Sequence, residues 1–388
     1  MRIVRLEEIC GIQIGRTPSR SVPEYWDGEL PWVTISDLGN GRLVARTKER
    51  ITRLGAEESR SKLVPAGTLL LSFKLSLGKR AFAGCDLYTN EAIAALEVRD
   101  PSTTDKGYLY WALGAVDYDR LVDRAAKGKT LNKAKLKVLQ VPLPPLPEQK
   151  RIAAILDSAD ELRAKRRDSI DQLDTLLQSV FLDMFGDPVT NPKGWEVSQL
   201  SEAVQDGTIV TYGIVQAGKE FPGGTPYIRT GDLVDGEIRA EGLRHTDPEI
   251  AARFERSRVR TGEIVMSIRA TVGTTARVPP ELDGANLTQG TARISPGART
   301  DPWFLLHFLR ARGSQTWLRR QVKGATFREI TLGRLRQMPV HLPPLDLQSR
   351  FASIVESVER QRDRLRAHLD ELDTLFASLQ TRAFRGDL

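Results

Sequence analysis

The sequence has few of the residues from which proteins build metal and disulfide sites. Its 388 residues include two cysteines, Cys10 and Cys85, and four histidines that are scattered along the chain. The cysteines form no Cys-x-x-Cys pair, and the histidines lack the spacing of zinc ligands. We therefore expect neither a disulfide framework nor a structural zinc ion.

Long apolar stretches are also missing. No run of about 18 apolar residues occurs, so the sequence predicts no membrane span. The first residues, MRIVRLEEIC, contain no apolar stretch long enough for a secretory signal. Together with the low cysteine content, these absences predict a protein of the cytoplasm.

Catalytic motifs are absent as well. Residues 128–130 read GKT, but a phosphate-binding loop needs a glycine five residues before Gly128, where the sequence has Asp123. Glu148 and Lys150 resemble half of a nuclease site, yet an acidic residue in a first helical turn has a plain electrostatic explanation. No Gly-x-Ser-x-Gly sequence, no Asn-Pro-Pro-aromatic tetrapeptide and no glycine-rich loop for a methyl-donor cofactor occurs. We therefore predict that the chain is not an enzyme by itself and has no catalytic, cofactor-binding or metal-binding residues.

The composition permits a folded, basic protein. Hydrophobic residues make up 40% of the sequence, which is enough for a buried core. Lys and Arg number 57 against 50 Asp and Glu, and the sequence pI is about 9.4. A positive balance suits a polyanionic partner such as nucleic acid, although many basic proteins bind none.

The dominant feature is an internal repeat. LPPLPEQKRIAAIL begins at Leu143, LPPLDLQSRFASIV begins at Leu342, and the alignment continues without a gap to the end of the chain. Roughly 18 of about 45 aligned residues are identical, which chance would rarely give. The order is therefore head, helix, head, helix, and the helices resemble each other more than the globular heads do.

The heads repeat more faintly. PWVTISDL at Pro31 matches PYIRTGDL at Pro226, and VPAGTLLLSFKLSLGK at Val64 matches VRTGEIVMSIRATVGT at Val259. Short strands are predicted at residues 33–35, 69–73 and 264–268, and helices at residues 108–121 and 303–318. Each head is therefore expected to be an α+β unit of about 140 residues.

Each Pro-Pro pair is followed by a predicted helix of about 35 residues, which would be about 50 Å long. Apolar residues recur at steps of three and four along one face. They are Ile152, Ile155, Ala159, Leu162, Ile170, Leu173, Leu177, Val180 and Met184 in the first helix, and Phe351, Ile354, Val358, Leu365, Leu369, Leu372, Phe376 and Leu379 in the second. The simplest partner for this face is the other copy, packed antiparallel in the same chain. The heads would then lie at opposite ends, about 15 base pairs of DNA apart. A dimerisation arm and a helix docked on its own head are the alternatives.

Three segments carry a resemblance to a known family. GRTPSRSVPEYWDGELPWVTISDL from Gly15, LPPLPEQKRIAAIL from Leu143 and LDTLLQSVFLDMFGDP from Leu173 resemble the specificity subunits of type I restriction-modification systems. The resemblance covers essentially the whole chain. The second copy departs from the EQKRIA motif at residues 346–349, but the chain-wide repeat compensates for that departure.

The resemblance implies an α+β fold in which two target-recognition domains are joined by two long helices that form an antiparallel intramolecular coiled coil, with a pseudo-two-fold repeat. The predicted target-recognition domains are residues 1–142 and 188–341. The predicted helical spacers are residues 143–187 in the centre and 342–388 at the C-terminus.

The resemblance also implies a role in a complex. Each target-recognition domain would read one half of a split, asymmetric site in double-stranded DNA, and the helices would set the spacing. The helices would dock two modification subunits, which carry S-adenosylmethionine and methylate adenine. Restriction subunits with an ATP-driven motor would join them, so ATP and Mg are expected on partner subunits and no cofactor on this chain.

Residues that could contact DNA are polar or basic and either follow an apolar strand or lie in glycine-containing turns. The candidates in the first head are Lys74, Ser76, Lys79, Arg80, Lys127, Lys129 and Thr130. The candidates in the second head are Arg229, Thr230, Arg269, Thr271, Thr274, Lys323 and Thr326. The alternative for each residue is a solvated surface position.

Three other functions fit parts of the sequence. The chain could be an orphan DNA-recognition adaptor of a related methylation or defence complex that lacks a restriction subunit. It could be a self-contained methyltransferase or nuclease, which activity of the pure chain would reveal. It could also be a structural coiled-coil scaffold, for which DNA binding would show no sequence preference.

Overall fold

The computed structural model describes residues 2–39, 41–121, 131–324 and 328–388. Their contacts divide the chain into two compact units: unit 1 is Met1–Arg167 with His368–Leu388, and unit 2 is Asp168–Ala367. Each unit therefore combines one head with parts of both long helices. No helix among the described residues is long and apolar enough to cross a membrane. The division into two recognition domains and two spacers stays a prediction.

The described residues of unit 1 form ten strands. They are β1 (Arg2–Arg5), β2 (Cys10–Ile14), β3 (Trp26–Val33), β4 (Leu43–Val44), β5 (Glu49–Ile51), β6 (Leu69–Ser72), β7 (Arg80–Ala83), β8 (Tyr88–Thr89), β9 (Ile93–Val98) and β10 (Gln140–Leu143). The helices that begin in unit 1 are α1 (Leu6–Ile9), α2 (Arg53–Glu58), α3 (Lys106–Gly114), α4 (Lys133–Lys137) and the long α5 (Leu146–Phe185).

Unit 2 contains a further set of strands. They are β11 (Glu196–Gln199), β12 (Thr211–Tyr212), β13 (Thr225–Ile228), β14 (Leu233–Val234), β15 (Glu237–Ile238), β16 (Arg244–Thr246), β17 (Ile264–Ser267), β18 (Thr275–Arg277), β19 (Asn286–Leu287), β20 (Thr291–Ile294) and β21 (Pro339–Leu342). The helices that begin in unit 2 are α6 (Pro248–Ala252), α7 (Pro302–Arg310), α8 (Arg312–Gln321), α9 (Leu332–Arg336) and the long α10 (Leu345–Arg385).

The two units repeat one sheet topology. The largest sheet has the order β2-β9-β6-β7-β4 in unit 1 and β12-β20-β17-β18 in unit 2. A three-stranded sheet in each unit, β5-β3-β8 and β16-β13-β19, has one antiparallel and one parallel pairing. The strand before each long helix pairs with the first strand of its own head, β10 with β1 and β21 with β11. The repeat and the α+β class predicted from the sequence are confirmed.

Some predicted boundaries are wrong for local reasons. The strand predicted at residues 33–35 ends at Val33, because the Asp37 carboxylate accepts a hydrogen bond from the Thr34 N–H (2.7 Å) and closes a 3-10 turn. The helix predicted over residues 303–318 is two helices, since Ala311 has extended backbone (ψ 144°) between α7 and α8. Side-chain capping and a single extended residue are therefore what periodicity missed.

The end of one other helix also differs from the prediction. The helix predicted over residues 108–121 ends at Gly114, and a separate 3-10 turn follows at Tyr118–Leu121. Both long helices begin directly after their Pro-Pro pairs, at Leu146 and Leu345, because proline is compatible with a first helical turn but not with a helix interior.

Within unit 1 the two long helices run antiparallel. Arg163 of α5 forms an ion pair with Asp373 of α10. Three turns earlier on α5, Arg151 donates a hydrogen bond to the carbonyl of Leu388 (2.6 Å). Contacts therefore move toward higher residue numbers on α10 as they move toward lower numbers on α5, which is the antiparallel arrangement.

Unit 2 contains the same contact with the helices exchanged. Arg362 of α10 pairs with Asp174 of α5 at 3.1 Å. In the internal repeat Arg362 aligns with Arg163, and Asp174 aligns with Asp373. The coiled-coil pair is therefore intramolecular and follows the pseudo-two-fold repeat.

The buried face of each helix is rotated slightly from the predicted one. Leu162 and Ile354, predicted to lie on the apolar face, are 53% and 37% exposed. A step of four residues from the buried Ala159 leads to Arg163 instead, and its guanidinium lies 4.3 Å from the centre of the Phe376 ring. The contact between the helices therefore contains ion pairs where periodicity predicted only apolar packing.

A fully buried glutamine at the start of each long helix ties the helix to its head. The side-chain oxygen of Gln149 accepts a hydrogen bond from the Asp105 N–H (2.8 Å), and its nitrogen donates to two backbone carbonyls at 2.8 and 2.9 Å. Gln348 repeats this arrangement in unit 2, where it accepts from the Asp301 N–H at 2.8 Å. The glutamine that both copies of the repeat share therefore has a structural role.

Replacing this glutamine should destabilise its unit. Gln149→Ala leaves one buried N–H and two buried carbonyls without their partner, which is expected to lower the free energy of unfolding by about 3 kcal/mol. Urea unfolding measures the loss. The control is Gln172→Ala on the same helix, where the side chain is exposed. Equal stability of the two variants would contradict this account of Gln149.

An aromatic cluster joins the second head to its helices. Phe185 of α5 contacts Phe304 of α7 and Phe351 of α10, with ring centres 4.8 and 5.4 Å away. His307 lies beside this cluster, 5.2 Å from the Phe351 ring. Burial lowers the pKa of His307 to about 3, and the positive charges of Arg310 and Arg362 act in the same direction. His307 is therefore neutral in the folded chain at neutral and mildly acidic pH.

The buried histidine should make unit 2 sensitive to acid. An unfolded histidine with a pKa of about 6.5 gains a proton that folded His307 does not, so stability is lost as the pH falls below that value. His307→Phe should reduce the loss by at most about 1.4 kcal/mol per pH unit. Urea unfolding at pH 7 and pH 5 measures it, with the exposed His368→Phe as the control. Identical pH dependence in the His307→Phe and His368→Phe variants would refute the assignment.

Candidate nucleic-acid interface

Each head has a hairpin loop that carries polar residues beyond a buried strand. The loop of residues 73–79 joins β6 to β7, and the loop of residues 268–274 joins β17 to β18. Both loops are closed alike, by a 2.8 Å hydrogen bond from the Ser72 N–H to the Lys79 carbonyl in unit 1 and an equal one from Ser267 to Thr274 in unit 2.

The two loops also share an unusual backbone conformation. Leu75 has φ 61° and Ala270, which aligns with it, has φ 57°. Residues other than glycine rarely adopt this left-handed conformation, and such positions are concentrated at functional sites. The loops therefore have one backbone shape and different side chains.

A basic cleft of about 540 Å³ adjoins the loop of unit 1. Among the described residues that line it are four cationic side chains and no acidic one. The cationic residues are Arg16, Lys62, Lys74 and Lys133, and the amides of Gln13 and Asn132 lie beside them. A concentration of positive charge with adjacent amides is suited to phosphate and base-edge contacts.

The structure brings together several candidates from the first head. Lys74, Ser76 and Lys79 lie on the loop of residues 73–79; Ser76 and Lys79 are exposed, and Lys74 lines the basic cleft. Arg80 lies differently: its guanidinium is 4.6 Å from the Tyr110 ring centre and 5.7 Å from that of Trp111. Burial lowers the pKa of Arg80. This packing leaves Arg80 poorly placed to reach a base.

Unit 2 also has such an arginine, but it lies on the helix α7 and not on the hairpin. Arg310 of α7 donates to the Thr275 carbonyl (3.0 Å) and the Gly236 carbonyl (2.6 Å). Arg310 aligns with Gly114, and Thr275 aligns with Arg80. In unit 1 a Cβ atom on Gly114 would lie 2.0 Å from Arg80. Each unit therefore has one buried guanidinium between hairpin and helix, supplied by the strand in unit 1 and by the helix in unit 2.

The candidates of the second head form a less positive surface. Arg269 pairs with Glu329 at 3.1 Å, and Glu329 exchanges backbone hydrogen bonds with Lys323. Thr271 is exposed, and the Thr274 hydroxyl donates to the Thr271 carbonyl at 3.0 Å. The arginine of this loop is therefore partly neutralised, and Thr274 stands where unit 1 has Lys79.

A neighbouring turn supplies the remaining described candidates. The Thr230 hydroxyl donates to the Gly290 carbonyl (3.2 Å), which also accepts from the Ile268 N–H (2.9 Å), so Thr230 adjoins the loop of residues 268–274. Arg229 forms an ion pair with Asp232 at 2.7 Å. Lys127, Lys129, Thr130 and Thr326 lie outside the described residues.

The sequence did not single out three cations of the basic cleft. Arg16 lies inside the GRTPSR segment, but Lys62 and Lys133 carry no motif and reach the cleft only through the fold. Sterics require glycine at position 15 of that segment, because a Cβ atom on Gly15 would lie 2.1 Å from the Thr89 carbonyl oxygen. Gly213 has the same restriction in unit 2, at 1.9 Å from the carbonyl oxygen of Leu287.

Within the described ranges, no group of three or more His, Cys, Asp or Glu residues is arranged to hold a metal ion.

Comparison with solved structures supports the fold. A chain from a type I restriction-modification system, studied for complex assembly and conformational transition, matches with a TM-score of 0.58 and 21% identity, covering 100% of this chain and 98% of that one. The type I restriction-modification S subunit from M. genitalium matches with a TM-score of 0.54 and 15% identity, covering 99% of this chain and 96% of that one.

Curated relatives match over most of their length. The MjaIX specificity subunit of Methanocaldococcus jannaschii is 24% identical over an alignment 389 residues long. The alignment covers 91% of this chain and 85% of the relative. The EcoBI specificity subunit of Escherichia coli is 27% identical over 333 residues, which cover 77% of this chain and 69% of the relative.

The family model described as type I restriction modification DNA specificity domain matches twice, at residues 1–172 and 192–373. The two matches correspond to the two halves of the internal repeat. The chain therefore belongs to the family of type I restriction modification DNA specificity domains.

Proposed function

We propose that the chain supplies sequence specificity to a type I restriction-modification complex and that each head reads one half of a bipartite site in double-stranded DNA. The observation that carries this proposal is the pair of hairpin loops with equivalent backbone and different side chains. Unit 1 offers an open basic cleft, whereas unit 2 offers hydroxyl groups and an arginine held by Glu329. Two unlike surfaces on one frame favour an asymmetric site.

The proposed DNA contacts are of two kinds, to base edges and to phosphates. Lys74, Ser76 and Lys79 in unit 1 are proposed to reach base edges or adjacent phosphates, and Arg16, Lys62 and Lys133 to hold phosphates. In unit 2 the proposed contacts are Arg229, Thr230, Arg269, Thr271, Thr274 and Lys323. Lys127, Lys129, Thr130 and Thr326 stay candidates, and Arg80 is assigned to packing.

The long helices are proposed to set the spacing of the half-sites and to dock two modification subunits. Leu176 and Leu375 occupy equivalent positions of the repeat and are 48% and 50% exposed. Exposed apolar residues at equivalent positions suit two copies of one partner. Those partners would carry S-adenosylmethionine, and restriction subunits with ATP and Mg would join them in the cytoplasm.

The function is tested by mapping methylated adenines in cells that express this chain with its modification subunits. We expect methylation at a split, asymmetric sequence that disappears when this chain is deleted. Methylation that persists without the chain would refute the proposal. If the chain co-purifies with modification subunits but with no restriction subunit, it is an orphan adaptor.

Removing one loop cation should weaken DNA binding or alter one half-site. Lys74→Gln and Arg269→Gln are each expected to cost about 1–3 kcal/mol if the side chain contacts a base. Binding of the assembled complex to the mapped site and to half-site variants measures both effects. Lys165→Gln, which removes the same charge from a helix position paired with Glu161, is the control. Unchanged affinity and preference in both loop variants would remove these residues from the interface.

A charge at either exposed helix leucine should release one modification subunit. Leu176→Glu or Leu375→Glu would place a carboxylate in an apolar contact, and the double variant should release both subunits. Native mass spectrometry gives the stoichiometry. The control is Leu54→Glu, at a similarly exposed leucine of the first head. A full complement of modification subunits on the double variant would show that they bind elsewhere.

A further inference from the structure

Unit 2 contains a cavity of about 340 Å³ at the base of its head. Leu177 and Phe181 of α5, His307 and Arg310 of α7, and Arg362 of α10 contribute to its lining. The volume lies at the lower end of the range of about 300–1,000 Å³ that is usual for small-molecule sites. Its lining combines the buried Leu177, Phe181 and His307 with exposed residues at its mouth, and the described lining includes no residue of the hairpin loop 268–274.

The equivalent place in unit 1 is filled by two large side chains. Trp111 aligns with His307, and Phe376 aligns with Leu177. The rings of Trp111 and Phe376 are in contact, with centres 5.4 Å apart, and both residues are buried. At both aligned positions unit 2 has the smaller side chain, histidine for tryptophan and leucine for phenylalanine, and the cavity lies beside them.

The hydrogen bonding of the polar atoms at this place also differs between the two copies. In unit 1 the Trp111 indole N–H donates to Asp157 at 2.6 Å. In unit 2, among the described residues, Nε2 of His307 and Nε of Arg362 are buried without a hydrogen-bond partner. Buried polar atoms are normally paired, so two unpaired ones beside a cavity indicate groups available to a ligand.

The charge around the cavity is balanced. Arg362 forms ion pairs with Asp174 and Glu359. Burial keeps His307 neutral. Arg310, Arg312 and Asp235 also line the cavity, so its three arginines are matched by Asp174, Asp235 and the Arg362 partner Glu359. The walls include the apolar side chains of Leu177 and Phe181.

We propose that this cavity binds a small, neutral, planar heteroaromatic molecule, which lies against Leu177 and Phe181 and hydrogen-bonds to His307 Nε2 and Arg362 Nε. The bound ring would complete the contact between the second head and its helices. Because the ligand binds the folded unit and not the unfolded chain, it would also stabilise unit 2.

Benzimidazole is the test probe, because its ring carries one N–H donor and one nitrogen acceptor. Added to the full-length chain, it should bind saturably at one site by calorimetry and raise the melting temperature. Indene has a similar shape but no nitrogen, and it should bind at least about tenfold more weakly. Absence of saturable benzimidazole binding overturns the proposal, and equal affinity for indene overturns the roles of His307 and Arg362.

Two variants locate the site. The double substitution Leu177→Phe with His307→Trp installs the side chains of unit 1 and should abolish benzimidazole binding. His307→Phe keeps a ring, removes Nε2 and should weaken binding at least about tenfold, so the test remains decisive if the double variant fails to fold. Ile209→Phe, at an exposed apolar residue of the second head outside the cavity lining, is the control and should bind normally. Unchanged binding in either cavity variant that folds overturns the proposal.

Discussion

The buried glutamine at the beginning of each long helix is the contact on which the rest of each unit depends. Gln149 and Gln348 join the helix start, the Pro-Pro segment and the first turn of the head's own helix through three hydrogen bonds each. The neighbouring strand pairs, β1 with β10 and β11 with β21, hold the two ends of each head together. A recognition loop is useful only when its head is held firmly, and this joint provides that constraint.

The repeat separates what must be constant from what must vary. The order of four strands of the main sheet, the loop backbone and the arginine–aspartate pairs between helices are the same in both units. The surfaces beside the loops differ, since Lys74 lines an open basic cleft and Arg269, its counterpart, is paired with Glu329. The units therefore differ in the side chains beside the loops while they share the loop backbone.

Much of this architecture was accessible from the sequence. Self-similarity revealed the two halves, and a period of three to four residues revealed the long helices and most of their buried face. The errors have physical causes. Arg163 replaces Leu162 at the helix contact because its guanidinium stacks over the Phe376 ring and forms an ion pair with Asp373. The basic cleft escaped prediction because Arg16, Lys62 and Lys133 come from separate segments that only the folded chain brings together.

The exchanged arginines have a consequence for how such chains can recombine. Arg80 needs the glycine at position 114, and Arg310 donates to the carbonyl of Thr275 on the opposite strand. A hybrid head with the hairpin of unit 1 and the helix of unit 2 would enclose two like charges, and the reverse hybrid would enclose none. Crossovers inside a head are therefore penalised, whereas crossovers at the Pro-Pro joints keep each matched pair intact. New specificities should accordingly arise by exchange of whole heads.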